Sequence, residues 1–329
     1  MDISSVRRGG AVFAALLAFA GCSSISTSLT PATAAAPASR QSGSWMAKGL
    51  TNVALLYVTN IDGLVNVYDY STHKLVGVLT AFAWPMGECA DKNGNVYILD
   101  YSNKTIYEYA HGGTKPIHTI SDSYWPSDCA IDPKTGNLAI TNYGNQNDGN
   151  VAIYVHAKGQ PIYYGTGSDF NACGYDKYGD LLAAGYSGSQ AKFYYLTAHS
   201  KNFGEISLPG PKSSWSWSNI YAILWDGKYF DVDPGFRYTS GTSAIYRYTI
   251  NIKGVYHDEI PLSGNGVLGP VALYSSTLKA KPTQIVGTSR GASNTGYLTY
   301  WKYPAGGSPI YQTSKYLDDP YGIVVSPAS

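Results

Sequence analysis

Two carboxylates stand where the surrounding pattern calls for apolar side chains. Glu88 falls at a position filled elsewhere in the chain by Cys129, Cys173, Ile223, Leu273 and Ile323, and Asp231 at one filled by Val58, Ile98, Ile140, Ala183 and Val286. A carboxylate taken out of water costs on the order of several kcal/mol unless it is paired, so each needs a partner, a bound ligand or a raised pKa. Asp128 and Asn171 lie at neighbouring registers, and oxygen donors of this kind would suit a hard divalent cation. Aromatic residues form a second group. Tyr101, Tyr143 and Tyr186 recur at matching positions, and Trp215 and Trp217 sit in an insertion, Pro209 to Asn219, that has no counterpart elsewhere in the chain. Amphipathic rings beside Asn, Asp and Ser can stack on a sugar or clamp a peptide.

The elements that must position these groups are written in a repeat. Its opening reads Pro85-Met86-Gly87-Glu88-Cys89-Ala90-Asp91, then Pro126-Ser127-Asp128-Cys129-Ala130-Ile131-Asp132, then Phe170-Asn171-Ala172-Cys173-Gly174-Tyr175-Asp176. The same register returns at Ile220 to Asp226, Pro270 to Ser276 and Pro320 to Ser326, with fourth residues spaced by 41, 44, 50, 50 and 50. Each opening but the last leads through a turn into further short strands, such as Gly94 to Asp100, Thr105 to Tyr109 and the run beginning Pro116-Ile117. Four alternating strands per repeat make one propeller blade. The two ends are complementary. Asn52 to Thr80 supplies strands two, three and four of a blade, and Pro320 to Ser326 supplies a first strand with nothing after it. The expected fold is therefore all-β: a six-bladed β-propeller closed by pairing of the N-terminal and C-terminal strands, monomeric because the ring leaves no exposed edge. Asn60, Asp100, Asn142 and Asp233 end second strands, where capping a turn is their expected work.

Composition bounds the partners. Charged residues make up 14% of the 329 residues, with 30 Tyr and 36 Gly, and the formal net charge is +1. No run of Lys or Arg exceeds two, which excludes nucleic acid as a partner. Arg7 and Arg8 precede a ten-residue apolar stretch, Ala11 to Ala20, too short to span a bilayer. The stretch ends in Phe19-Ala20-Gly21-Cys22, which resembles the bacterial lipobox, with Phe19 where Leu is usual. Residues 1–22 are thus expected to be a lipoprotein signal peptide, with Cys22 as the lipidation site and the only membrane attachment. Residues 23–50, rich in Ser, Thr, Ala and Pro, read as a flexible tether, and residues 51–329 as the propeller, outside the membrane in the periplasm or at the cell surface. Three cysteines remain, so at least one is unpaired. Cys129 and Cys173 share a register in adjacent blades, farther apart than a disulfide tolerates, and are expected to be buried free thiols.

The openings resemble the NHL repeat. Tyr57-Val58-Thr59-Asn60, with Asn66-Val67-Tyr68-Asp69 and Lys74-Leu75-Val76, resembles a YVTN repeat. The resemblance spans roughly residues 52 to 326 and implies the propeller fold while saying little of activity. The gluconolactonase (SMP-30) group shares that fold, and resemblance to it would place metal ligands at Met86, Ser127, Asn171, Tyr221, Val271 and Tyr321, where only Asn171 has a suitable donor. Resemblance to streptogramin-inactivating lyases would require a channel histidine, yet His73, His111, His118, His156, His199 and His257 all map to the rim. The reading favoured by the residues is a non-catalytic module that binds a small molecule, glycan or peptide on its aromatic loop face. Its candidate site is Glu88, Tyr101, Asp128, Tyr143, Asn171, Tyr186, Trp215, Trp217 and Asp231, with no catalytic residue and no obligatory cofactor. The alternative is a hydrolase, lactonase or lyase on the same face, assisted by a divalent cation.

Overall fold

Short strands with bulky β-formers and tight Gly- and Asp-bearing turns dominate the chain, and they pair almost wholly with their sequence neighbours. The computed structural model describes residues 43–144, 148–165, 167–188, 190–212, 217, 219–235, 242–251, 253–264, 267–275, 280–290 and 296–328. Cys22, the proposed signal and most of the tether, as well as Trp215, lie outside the described residues. Among the described residues the strands form five hydrogen-bonded sheets, one of five strands, three of four and one of eight. The eight-stranded sheet consists of two antiparallel ladders, one from Ala222–Trp225 to Gly254–Ser263 and the other from Val267–Tyr274 to Gly306–Thr313. A single parallel pairing, Leu262 with Gly307, joins them.

The closing strand lies where the repeat places it. Pro320–Ser326 pairs antiparallel with Leu55–Asn60, with Leu56 opposite Val325 and Val58 opposite Ile323. Head and tail of the chain therefore share one sheet. That sheet also takes in Trp45–Met46, which pairs with Val78 and Gly77. These two residues belong to the stretch read as tether, so ordered pairing begins upstream of residue 51.

Burial explains the sequence pattern strand by strand. Second strands such as Leu55–Asn60 and Val96–Asp100 are buried along their whole length. They lie between neighbouring sheets and read as continuous apolar runs rather than alternating ones. Fourth strands such as Pro116–Ser121 are largely exposed, which accounts for their weak patterning. Apolar clusters fill the space between adjacent sheets; in one, Leu55, Tyr57, Val65 and Val67 meet Val96 and Ile98.

The Asp that ends four of the six openings does local work. Asp91 Oδ1 accepts the backbone N–H groups of Asn93 and Asn95, each at 2.8 Å. Asp132, Asp176 and Asp226 hold their own turns in the same way. The recurring acid is a hairpin cap and needs no ligand.

Candidate functional site

The first strands carry the geometry of the site. In five of their pairings with second strands the register slips near the start, at Val58/Asn60, Pro85/Glu88, Thr141/Asn142, Phe170/Ala172 and Leu268/Val271. Such a bulge adds a residue, bends the strand and re-aims a side chain. All six second residues of the openings, Met86, Ser127, Asn171, Tyr221, Val271 and Tyr321, line one cavity of about 680 Å³. Glu88, Asp128, Tyr143, Cys173 and Tyr186 line it as well.

Several of these polar groups also bind sheet to sheet. Ser127 Oγ donates to the carbonyl of Phe170 at 2.8 Å, and Thr59 Oγ1 to that of Met86 at 2.6 Å. Asn171 Nδ2 donates to the carbonyl of Ile220 and, at 3.1 Å, to the hydroxyl of Tyr186, which in turn accepts the Ile220 N–H at 2.7 Å. The amide nitrogen of Asn171 is thus consumed by the scaffold, whereas its Oδ1 has no hydrogen-bond partner among the described residues. Asp128 reaches forward to the next first strand, accepting the N–H of Cys173 at 3.1 Å. Burial pushes its carboxyl up to about 7, against the lowering effect of the Cys173 and Cys129 amides.

Glu88 is 5% exposed and neither carboxyl oxygen completes a hydrogen bond. Burial holds it well above the usual carboxylate range, only partly offset by the backbone amide of Thr59. A desolvated acid without a full partner is the least satisfied group in the cavity wall.

Aromatic rings cluster beside Tyr143 and Tyr321 of the cavity wall. Trp84 lies 5.3 Å from Tyr101 and 6.1 Å from Tyr321 between ring centroids, and Tyr101 lies 6.1 Å from Tyr143 and 6.4 Å from Trp125. The Lys104 ammonium stands 4.0 Å over the Trp125 ring. Burial raises the phenol of Tyr101 above its ordinary value and pushes that of Tyr186 up to about 12, so both remain neutral hydroxyls at physiological pH.

Three described candidates do not line the cavity: Tyr101, which stands beside Tyr143, and two that fall elsewhere. Trp217 is 8% exposed and packs against Phe193, Tyr246 and Tyr248, with its indole N–H donated to the Leu208 carbonyl at 2.9 Å. It anchors the insertion to the core. Asp231 pairs with Leu224, while the fourth residue Ile223 pairs with Val232. Its register is one residue away from that expected, and a one-residue change turns a side chain to the opposite face. Asp231 accordingly faces Tyr303, whose hydroxyl is 2.7 Å from it, and does not line the cavity.

The cysteines depart from expectation at Cys129 and meet it at Cys173. Cys89 and Cys129 form a disulfide with a Cα separation of 5.6 Å, and Cys173 is the buried free thiol. Residues at one register face the same way round, so Cys129 and Cys173 do not face each other. Cys89 sits one register later than Cys129 and faces forward to meet it. The shift from position four to position five was the signal available in the sequence.

No family model matches the chain, and no curated protein matches it. Solved structures do. A chain in the crystal structure of a nidogen/laminin complex aligns with a TM-score of 0.60 at 13% identity, covering 84% of this chain and 99% of that one. TolB from Acinetobacter baumannii aligns at 0.61 and 13%, covering 85% and 68%. The Myceliophteria thermophila Cps50 (Swd1) β-propeller domain aligns at 0.53 and 12%, covering 86% and 88%. At such identities the likeness speaks for architecture alone: the chain has a β-propeller fold.

Proposed function

We propose that this chain is a six-bladed propeller that binds a small molecule in its central channel without transforming it, held outside a bacterial membrane by a lipid on Cys22. Counting the two ladders of the eight-stranded sheet separately, each led by its own first strand, supports the reading of six blades. Pro85–Ala90 packs on Trp125–Ile131, that on Asp169–Tyr175, and so on through Ala222–Trp225, Val267–Tyr274 and Pro320–Ser326, which returns to Pro85–Ala90.

The observation that carries the binding reading is the cavity. Its volume of about 680 Å³ falls within the roughly 300–1,000 Å³ range of small-molecule sites. It combines tyrosines with a few convergent polar groups. None of the six histidines lines it. A thermal-shift screen of small metabolites, repeated on Tyr143→Ala, tests this: stabilising compounds should lose their effect in the variant. Compounds that stabilise both proteins equally would place binding elsewhere. For the anchor, Cys22→Ser should move the protein from the membrane to the soluble fraction, and continued sedimentation with membranes would refute lipid attachment there.

A further inference from the structure

Two hydroxyls at the channel wall carry protons that the fold does not use. Tyr186 Oη accepts the Ile220 N–H at 2.7 Å and the side-chain amide of Asn171 at 3.1 Å. A phenol oxygen has one proton to give and two lone pairs to receive with, so both receiving positions are taken and a third bond must be a donation. That proton has no acceptor among the described residues. Tyr143 holds the matching place at the end of the preceding second strand, and its hydroxyl makes no hydrogen bond among the described residues. Both side chains are half-buried and line the cavity. Burial, and after it the nearby Tyr186 phenol, raises Tyr143 above its ordinary value, so both hydroxyls keep their protons at physiological pH.

The rest of the wall offers a ligand little charge to pair with. No Lys, Arg or His is among the described lining residues. Both oxygens of Glu88 are enclosed by protein, and Asp128 spends Oδ2 on the Cys173 N–H. Asp169, held by the Gly144 N–H, adds to burial in raising the phenols of Tyr101 and Tyr143, and a carboxylate so placed repels an anion. The half-buried apolar side chains of Met86, Leu224, Leu273 and Val324 line the same cavity. A site with donors already in place selects for a matching acceptor, because a ligand without one strands them.

We infer that the channel ligand is an uncharged molecule with a carbonyl oxygen and an apolar body, its oxygen accepting the protons of Tyr143 and Tyr186 and its body lying against Met86, Leu224, Leu273 and Val324. This rests on the channel-binding reading and names its ligand class. Two donors suit the two lone pairs of a carbonyl oxygen. Tyr186 is the fixed donor, oriented by Ile220 and Asn171. Tyr143, whose hydroxyl the fold leaves unbonded, supplies the second.

Four probes on one ring system test the inference by calorimetric titration at pH 7.5: 1-indanone, indane, 1-aminoindane as its ammonium, and indane-1-carboxylate. Indanone should bind wild type about tenfold more tightly than indane, the worth of a hydrogen bond to a placed donor, and more tightly than either ion. Tyr143→Phe removes a hydroxyl that bonds nothing else in the fold. It should cut the preference for indanone to about threefold or less and leave indane unchanged. Equal binding of indanone and indane to wild type, both weakened in Tyr143→Ala, would overturn the carbonyl assignment and leave channel binding intact. Tighter binding of either ion would overturn the neutral assignment. A preference for indanone that survives whole in Tyr143→Phe would overturn the part given to the hydroxyls. Binding of none of the probes, or binding that Tyr143→Ala leaves untouched, would remove the channel site itself.

Discussion

His111 Nδ1 lies 2.6 Å from Ser326 Oγ, and this contact fastens the end of the chain to a loop of the sheet beside it. The other ring nitrogen, Nε2, lies 3.0 Å from the carbonyl of Val53, near the start of the same ring. One imidazole thus joins the first and last strands of the described ring at the seam, where Ser326 Oγ also lies 2.6 Å from the Gly94 carbonyl. His111→Ala should cost about 1–3 kcal/mol, the usual penalty for stranding buried hydrogen-bonding groups. The measurement is the urea midpoint. An unchanged midpoint would mean that strand pairing alone secures the closure.

The Cys89–Cys129 bridge joins two adjacent first strands over 40 residues of sequence. Closing a loop of that length restricts the unfolded chain by about 4 kcal/mol in the chain-entropy account. Cys89→Ala/Cys129→Ala should lower the thermal midpoint, and wild type should fall by a similar amount under dithiothreitol. The double variant should be insensitive to the reductant, since Cys173 is a buried thiol.

Burial raises the carboxyls of Asp128 and Asp233 to about 7, from ordinary values near 3.8. The folded protein then binds more protons than the unfolded chain between about pH 4 and pH 7. Stability from these groups is present below pH 4 and is lost as pH rises through that window. Glu88, raised in the same direction, extends the loss upward. Glu88→Gln should raise the urea midpoint at pH 7.5 and leave it nearly unchanged at pH 4. A gain of equal size at both pH values would contradict the origin given.

Tyr303 carries one hydroxyl proton and stands 2.7 Å from Asp226 Oδ2 and 2.7 Å from Asp231 Oδ2. It can donate to only one of them, so the other must supply a proton. Asp231, 1% exposed and held well above the carboxylate range by burial, is that donor; Asp226 is the acid nearer to Arg247, at 3.8 Å. Asp231→Asn preserves a donor and should be tolerated at neutral pH. Tyr303→Phe leaves both acids facing an apolar ring and should cost about 1.5–3 kcal/mol. Equal effects from the two substitutions would refute the arrangement.

Trp217→Ala should destabilise by about 3–5 kcal/mol, as for other large buried aromatics. Compounds that stabilise wild type in the thermal-shift screen should raise the melting temperature of this variant by the same increment. Lost binding would return Trp217 to the ligand site.

The repeat itself was legible in the chain, because side-chain alternation and turn chemistry are local and recur at a nearly constant interval. The Pro-x-Gly openings, the Asp91, Asp132 and Asp176 that end three of them, and the complementary ends that pair Val58 with Ile323 could all be read from residue order. The second residue of each opening was marked only by the resemblance to the SMP-30 group, and the structure brings all six to one cavity. What only the tertiary structure decided were the contacts between neighbouring sheets. Whether Cys129 faces Cys89 or Cys173, and whether Asp231 looks toward the channel or toward Tyr303, depends on which face of a strand a residue occupies. A slip of one residue reverses that face without leaving a mark in the composition. The bareness of Glu88 likewise depends on groups far away in sequence, Thr59 among them, that pack around it without completing its hydrogen bonds.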